Sequence, residues 1–133
     1  MQTMKIITAG LLAILPLTGF ATNSQDAQDA QDANGWTALM HATKAGKVDE
    51  VSRLLASGAS PNIGGKLGRT PLHLASSAPL KITRLLIQAN GDINNRNVGG
   101  ITPLMAVAAK GRTDLADLLL QAGRRVALHD YLR

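Results

Sequence analysis

The stretch TPLHLA, Thr70–Ala75, decides the fold of this chain. A Thr directly before a Pro starts a helix, because the Thr hydroxyl caps an exposed amide and Pro occupies the first turn, where its missing N–H costs nothing. The arrangement recurs as Thr102–Leu104 (TPL) and in part as Thr37–Leu39 (TAL). The three threonines are 33 and 32 residues apart. A period of this length indicates a repeat architecture.

Each copy reads as a helix, a tight turn and a second helix. Gly46 and Gly111 stand where a residue with positive φ would end the first helix. The second helices carry aliphatic residues at helical spacing, namely Val48, Val51, Leu54 and Leu55 in copy one and Leu115, Leu118 and Leu119 in copy three. One helical pair cannot bury such a stripe alone, so we expect neighbouring pairs to stack into a solenoid.

This pattern resembles the ankyrin repeat family, whose TPLHLA motif is matched in full by Thr70–Ala75. The resemblance implies an all-α solenoid of about three helix-turn-helix repeats with short β-turn fingers, spanning 34–66, 67–98 and 99–133. Copy two departs from the family because it has no glycine between its helices, and we expect its turn to be rebuilt around Pro79. Copy three departs from it at Arg124 and Arg125, where the family has Ala-Asp.

The N-terminal segment has the features of a secretory signal. Lys5 precedes the uncharged run Ile6–Phe20, which is shorter than the roughly 20 residues that span a bilayer as a helix. Gly19 and Ala21 suit the −3 and −1 positions of a cleavage site, so residues 1–21 are predicted to be a signal peptide. We expect export to the periplasm and no stable membrane insertion after cleavage, with a retained anchor as the alternative.

Residues 22–33, which include the tripeptide repeat QDAQDAQDA, carry no large apolar side chain. Such a segment buries too little surface to offset the entropy of ordering it. It is predicted to be a flexible low-complexity linker between the signal peptide and the repeats.

The amino-acid composition limits the fold, the chemistry and the partners that the chain can have. The chain is 45% hydrophobic but only 2% aromatic, which favours helices packed through small aliphatic side chains. It has no cysteine, which excludes disulfides and thiolate chemistry. All but one of the 14 basic residues, but only six of the nine acidic ones, lie within 34–133. This basic body favours a partner with an acidic surface, and export disfavours nucleic acid.

Nothing in the sequence resembles a catalytic or metal-binding motif. The histidines are His41, His73 and His129, without the spacing of metal ligands. His73 occupies the His position of the TPLH motif, where the family uses the ring as a structural brace. We therefore predict no enzyme activity, no metal and no cofactor. A small hydrolase using His41 or His73 is the alternative of that class.

The remaining candidate for function is a surface. The family resemblance implies binding through the concave face formed by the finger tips and the first helices. Trp36, Arg69 and Ile101 each lie one residue before a repeat threonine and should line up along this face. Trp and Arg are common at binding hot spots, although Trp36 could instead cover the end of the first repeat. The predicted protein-binding residues are Asn34, Trp36, Lys44, Lys66, Leu67, Arg69, Ser77, Ile101 and Lys110.

These features predict a periplasmic, non-enzymatic protein-protein interaction module that acts as an accessory or inhibitor of a partner in the same compartment. A redox or stress-defence enzyme and a secreted toxin or lipase are both compatible partners. The alternatives are an immunity protein against a secreted toxin and a membrane-anchored scaffold facing anionic lipid.

Overall fold

The computed structural model describes residues 28–132, so the predicted signal peptide and residues 22–27 of the predicted linker lie outside the described residues. From residue 38 onward the chain forms six α-helices joined by turns. They are α1 (Ala38–Ala45), α2 (Val48–Ala56), α3 (Pro71–Leu74), α4 (Leu80–Gln88), α5 (Pro103–Ala109) and α6 (Thr113–Leu132). No β-strand occurs within residues 28–132. The fold is therefore all-α, as the family resemblance implies.

The three repeat threonines start the three inner helices, α1, α3 and α5. Thr37 Oγ1 accepts a hydrogen bond from Met40 N at 3.3 Å, and Thr102 Oγ1 accepts one from Met105 N at 3.2 Å. Thr37, Thr70 and Thr102 all have extended backbone with φ between −88° and −89°. The helix starts predicted from the sequence are confirmed.

The turns between the paired helices follow the glycine pattern. Gly46 and Gly111 have φ of 73° and 69°, in the left-handed region that glycine enters at little cost. The second repeat lacks this glycine, and α3 is only four residues long. It continues as a 3₁₀ turn at Ala75–Ser77 before Pro79 leads into α4. The predicted rebuilding around Pro79 is thus confirmed.

The helices form two layers that share one core. The inner helices pack in the order α1, α3, α5, and the outer helices in the order α2, α4, α6. The aliphatic side chains between the layers are buried, including Leu39, Val51, Leu54, Leu72, Ile82, Leu86, Leu115 and Leu119. Each repeat buries its stripe against its neighbours, which is the arrangement expected of a solenoid.

His73 braces the second repeat against the third. Its Nδ1 lies 3.2 Å from Thr70 N and 3.0 Å from Thr70 Oγ1, and its Nε2 lies 2.7 Å from Ile101 O. Because the Thr70 amide can only donate, Nδ1 accepts and Nε2 carries the proton that it donates to Ile101 O. The structural role predicted for His73 is confirmed, and it also fixes the position of the third finger.

The outer helix of the third repeat is longer than the other two. The chain turns away from α2 at Gly58 and from α4 at Asn90, both with positive φ. In contrast, α6 continues through Gly123 to Leu132. Within the described range, no finger follows the third repeat.

Candidate interaction surface

The turn that precedes each inner helix forms a finger of the same construction. In each finger a backbone N–H donates to the carbonyl of the residue just before the repeat threonine. These bonds join Asp32 N to Trp36 O (2.9 Å), Gly65 N to Arg69 O (3.1 Å) and Asn97 N to Ile101 O (3.0 Å). Trp36, Arg69 and Ile101 consequently occupy equivalent places, as their spacing predicts.

Side chains close the first and third fingers in the same way. Asp32 Oδ1 accepts from Asn34 N at 2.9 Å and from Trp36 N at 3.0 Å. Asn97 Oδ1 accepts from Gly99 N at 2.9 Å and from Ile101 N at 3.0 Å. An Asp or Asn side chain that binds backbone N–H groups two and four residues ahead holds a turn in shape. The second finger has Gly65 at this position and no such bonds.

Part of the segment assigned to a flexible linker belongs instead to this first finger. Besides the Asp32 bonds, Gln31 Nε2 donates to Gly35 O and Gly64 O, and Asp29 Oδ1 accepts from Ser60 N at 2.8 Å. The linker boundary predicted at residue 33 is therefore corrected for residues 29–33. Hydrogen bonds, rather than apolar burial, order these residues, which is why their lack of large side chains is misleading.

Trp36 connects the first finger to the second. A Cβ added to Gly65 would lie 3.1 Å from Trp36 Cδ1, so the glycine makes room for the indole. The centroid of the indole lies 5.0 Å from that of the His41 ring, and His41 Nε2 lies 2.7 Å from Asp32 Oδ2. The indole is half-buried and packs towards the following finger. This position leaves part of its surface open in the groove described next.

Two open cavities lie between the fingers and the inner helices, and together they define the concave face. The first measures about 460 Å³ and lies between fingers one and two. The second measures about 380 Å³ and lies between fingers two and three. The residues of the predicted site that line the first are Asn34, Trp36, Lys66, Leu67 and Arg69. Those that line the second are Lys44, Leu67, Arg69, Ser77, Ile101 and Lys110. The structure thus brings all nine residues to one face.

The concave face is positively charged. Lys44, Lys66, Arg69 and Lys110 line the two cavities, and no carboxylate does. Lys110 Nζ is held near the groove by a 2.9 Å hydrogen bond to Ser77 Oγ. Away from this face, Arg53 pairs with Glu50 and Arg112 pairs with Asp114. The cations of the concave face are therefore available to an acidic partner.

The Asp32 carboxylate bonds to His41, which lines the first cavity, and it is committed to the finger. The hydrogen bond from Trp36 N lowers the pKa of Asp32 below its ordinary value of 3.8, and the bond with His41 lowers the pKa further. The carboxylate is therefore ionised at neutral pH and orients the His41 ring at the edge of the first cavity. Sequence reasoning missed Asp32 and His41 at this site, although Asp32 lies five residues before its threonine, as Asn97 does.

Within residues 28–132, no group of three or more His, Asp or Glu side chains could hold a metal ion. None of the helices described there combines the length and the apolar character needed to cross a bilayer.

Comparison with known proteins assigns the family. A family model described as "Ankyrin repeats (3 copies)" matches residues 6–97, a range that starts inside the predicted signal peptide. A second family model, "Ankyrin repeat", matches residues 99–131. The chain belongs to the ankyrin repeat family. Ankyrin repeats are protein-protein interaction modules that are generally non-enzymatic, and no catalytic family is indicated for this chain.

Relatives with this similarity occur in distant organisms. A putative ankyrin repeat protein of Rickettsia felis is 38% identical over 95 residues, which cover 65% of this chain and 42% of that protein. Neurogenic locus notch homolog protein 4 of Homo sapiens is 36% identical over 90 residues, or 66% of this chain and 4% of that protein. An ankyrin repeat-containing protein of Schizosaccharomyces pombe is 42% identical over 64 residues, or 47% of this chain and 31% of that protein. This chain spans less than half the length of each.

Proposed function

We propose that this chain is an exported, non-enzymatic binding protein whose concave face holds an acidic surface of a partner protein in the same compartment. The observation that carries the proposal is the separation of charge on the molecule. Four cationic side chains and no carboxylate line the two cavities, whereas two carboxylates outside the cavities, Glu50 and Asp114, are each paired with an arginine. Complementary charge of this kind steers partners and fixes how they dock.

The compartment rests on the predicted signal peptide at residues 1–21, and the periplasm is its destination in this proposal. The partner is then a protein that meets the chain after export. A redox or stress-defence enzyme that needs an accessory subunit fits, as does a secreted toxin or lipase that needs an inhibitor, since either could present an acidic surface. Mass spectrometry of the exported protein tests this part. A mature N-terminus at Thr22 supports it, and retention of residues 1–21 would instead favour the membrane-anchored scaffold.

A charge-matched pair of variants tests the binding face. Lys66→Ala with Arg69→Ala removes two cations from the concave face, and Lys81→Ala with Arg84→Ala removes two exposed cations from α4 on the other side. In pull-downs from periplasmic extract, we expect the first variant to lose a band that wild type and the second variant both retain. The band should also weaken as salt rises. Equal loss in both variants, or retention in both, would show that the concave face is not the binding site.

A further inference from the structure

We infer that the occupant of the concave face is an extended acidic segment, with a large apolar side chain at every third residue and a carboxylate between successive apolar residues. This inference rests on the proposed function and specifies the form of the bound partner. It distinguishes a linear segment from a folded acidic surface. Four features of the groove lead to it.

The two cavities form one continuous groove. Leu67 and Arg69 line both of them, so these two side chains form the ridge between neighbouring compartments. Each compartment lies between two successive fingers. A ligand that occupies both compartments must cross Leu67 and Arg69, which places Arg69 beside the middle of the ligand.

The groove exposes several large apolar side chains. Within the described range, the large hydrophobic residues that are exposed are Leu67, Val98, Ile101, Met105 and Leu120. Three of these line the second cavity, where Leu67 is 55%, Val98 76% and Ile101 39% exposed. The Trp36 indole lines the first cavity. An exposed apolar patch with polar residues at its edge is typical of a binding site. Each compartment therefore suits an apolar side chain of the ligand.

Arg69 differs from two other arginines of the chain, Arg53 and Arg112. Arg53 and Arg112 each form a salt bridge with a nearby carboxylate. Among residues 28–125, no carboxylate lies within salt-bridge distance of the exposed Arg69 side chain, and none lines the groove. A guanidinium accepts a carboxylate in a two-pronged geometry, so the ridge suits an Asp or Glu of the ligand.

The spacing of the compartments selects the conformation of the ligand. The inner helices pack side by side. Packed helices generally lie about 8–10 Å apart, and we take this as the spacing of the two compartments. In a polyproline II segment, residues that are three apart share one face and are separated by about 9 Å. In a β-strand, residues on one face recur at about 7 Å or 13 Å, which does not match. Apolar residues three apart in a polyproline II segment can therefore enter both compartments.

Synthetic peptides test the inference by fluorescence anisotropy. The probe is a capped, labelled peptide of repeated Leu-Glu-Pro triplets. A first control has the same composition with Leu-Leu, Glu-Glu and Pro-Pro pairs, and two more replace Leu by Ala or Glu by Lys. We expect the triplet peptide to bind about tenfold or more tightly than each control, because each control removes one of the matched features.

Variants of the protein connect the binding to the ridge. Arg69→Gln should weaken the triplet peptide by about tenfold, the value of one charge-assisted hydrogen bond, whereas Arg84→Gln on α4 should leave its affinity unchanged. Leu67→Ser should weaken the triplet peptide as well. Circular dichroism checks that all three variants keep the helical content of wild type.

The outcomes separate this inference from the proposed function. Equal affinity for the triplet peptide and any control, or insensitivity to Arg69→Gln, overturns the extended-segment inference. If no peptide binds while the pull-down band still depends on Lys66 and Arg69, the concave face recognises a folded surface, and only the inference fails. If that band is also independent of both residues, the proposed function fails too.

Discussion

The second and third repeats have similar sequences but differ in how their inner helices are covered. His73, the fourth residue of the TPLH motif, is 4% exposed in the second repeat, and Met105 at the same position of the third is 45% exposed. Leu72 is buried, whereas its counterpart Leu104 is only half-buried. The second repeat lies between two neighbours, and the third has one among the described residues. The same residue type therefore contributes differently to stability according to the number of neighbouring repeats.

The turns before the second and third fingers also differ in how well neighbouring residues cover them. Asn62 Oδ1 accepts from Asp92 N at 2.7 Å, and Asn62 Nδ2 donates to Asn90 O at 3.2 Å, so this side chain links the turn before the second finger to the turn before the third. Asn94 is its counterpart in the turn before the third finger. Because α6 continues as a helix, no further finger within the described range meets the Asn94 side chain.

The largest effect should come from the core leucines of the two repeats. Leu72→Ala should lower the free energy of unfolding by about 3–4 kcal/mol, because it removes buried contacts and leaves a cavity. Leu104→Ala should cost only about 1 kcal/mol, since part of that side chain is already in water. Urea unfolding followed by far-UV circular dichroism measures both values. Equal losses would contradict the difference in coverage.

The fingers offer a second comparison of the same kind. Asn62→Ala removes two hydrogen bonds between repeats and should cost about 1–2 kcal/mol. Asn94→Ala should change the free energy of unfolding by less than about 0.5 kcal/mol, as is usual for surface positions. The same unfolding measurement applies. A cost for Asn94→Ala as large as that for Asn62→Ala would mean that the turn before the third finger is as well covered as the turn before the second.

The second repeat also contains a buried residue whose replacement should stabilise the protein. Thr83 in α4 is buried, and its Oγ1 has no hydrogen-bond partner, while the equivalent position of the first repeat is Val51. Thr83→Val should stabilise the protein by about 1 kcal/mol, because it removes an unsatisfied hydroxyl without changing the shape. Thr37→Val provides a control of opposite sign, since it deletes the cap on Met40 N and should cost about 1 kcal/mol. Destabilisation by Thr83→Val would show that the hydroxyl is satisfied in solution.

The first finger extends the comparison to pH. The pKa of Asp32 is lowered in the folded protein, so its contribution to stability is full above the unfolded value of 3.8 and is lost as pH falls through the folded pKa. Asp32→Asn keeps an oxygen for the two backbone bonds, as Asn97 does in the third finger, but removes the charge. We expect the urea midpoint of wild type to exceed that of Asp32→Asn at pH 7, and the gap to narrow as the pH falls below 3.8 and through the lowered pKa of the folded state.

The third finger is the control for this experiment. Asn97→Asp introduces a carboxylate at the equivalent position, and no histidine of the described residues lines up with it as His41 does with Asp32. A gap between wild type and Asp32→Asn that stayed constant from pH 7 to about pH 3 would contradict a role for the Asp32 charge.

Local rules account for most of what the sequence predicts correctly. Thr37 and Thr102 as helix caps, and Gly46 and Gly111 as turn residues, depend only on their own neighbours in sequence. The apolar spacing likewise predicts which side chains are buried. The threonine recurs in all three copies and the turn glycine in two, so the repeat pattern reinforces each assignment.

Features that depend on contacts between repeats were harder to predict. Asp29 and Asp32 look like part of a low-complexity tract, yet their spacing of three residues equals that of Asn94 and Asn97. Comparing the fingers residue by residue would have revealed this match. The contact of Trp36 with Gly65 depends on the gap between two fingers, which the sequence alone does not specify.

Gly123 shows a different limitation of local reasoning. Glycine at this position is typical of a helix end, but glycine inside a helix costs only about 1 kcal/mol. The helix continues through Gly123 to Leu132. A glycine therefore permits a helix end without requiring one.

The fingers also have a consequence for the chemical durability of the chain. Asn34-Gly35 and Asn90-Gly91 are the dipeptides most prone to deamidation, a reaction in which the glycine nitrogen attacks the asparagine side chain and releases ammonia. Here Gly35 N donates to Asp32 O at 2.9 Å and Gly91 N donates to Leu86 O at 2.8 Å. Both nitrogens are thus held in hydrogen bonds by the fold. Deamidation at these two sites should therefore be slower in the folded protein than in the unfolded chain.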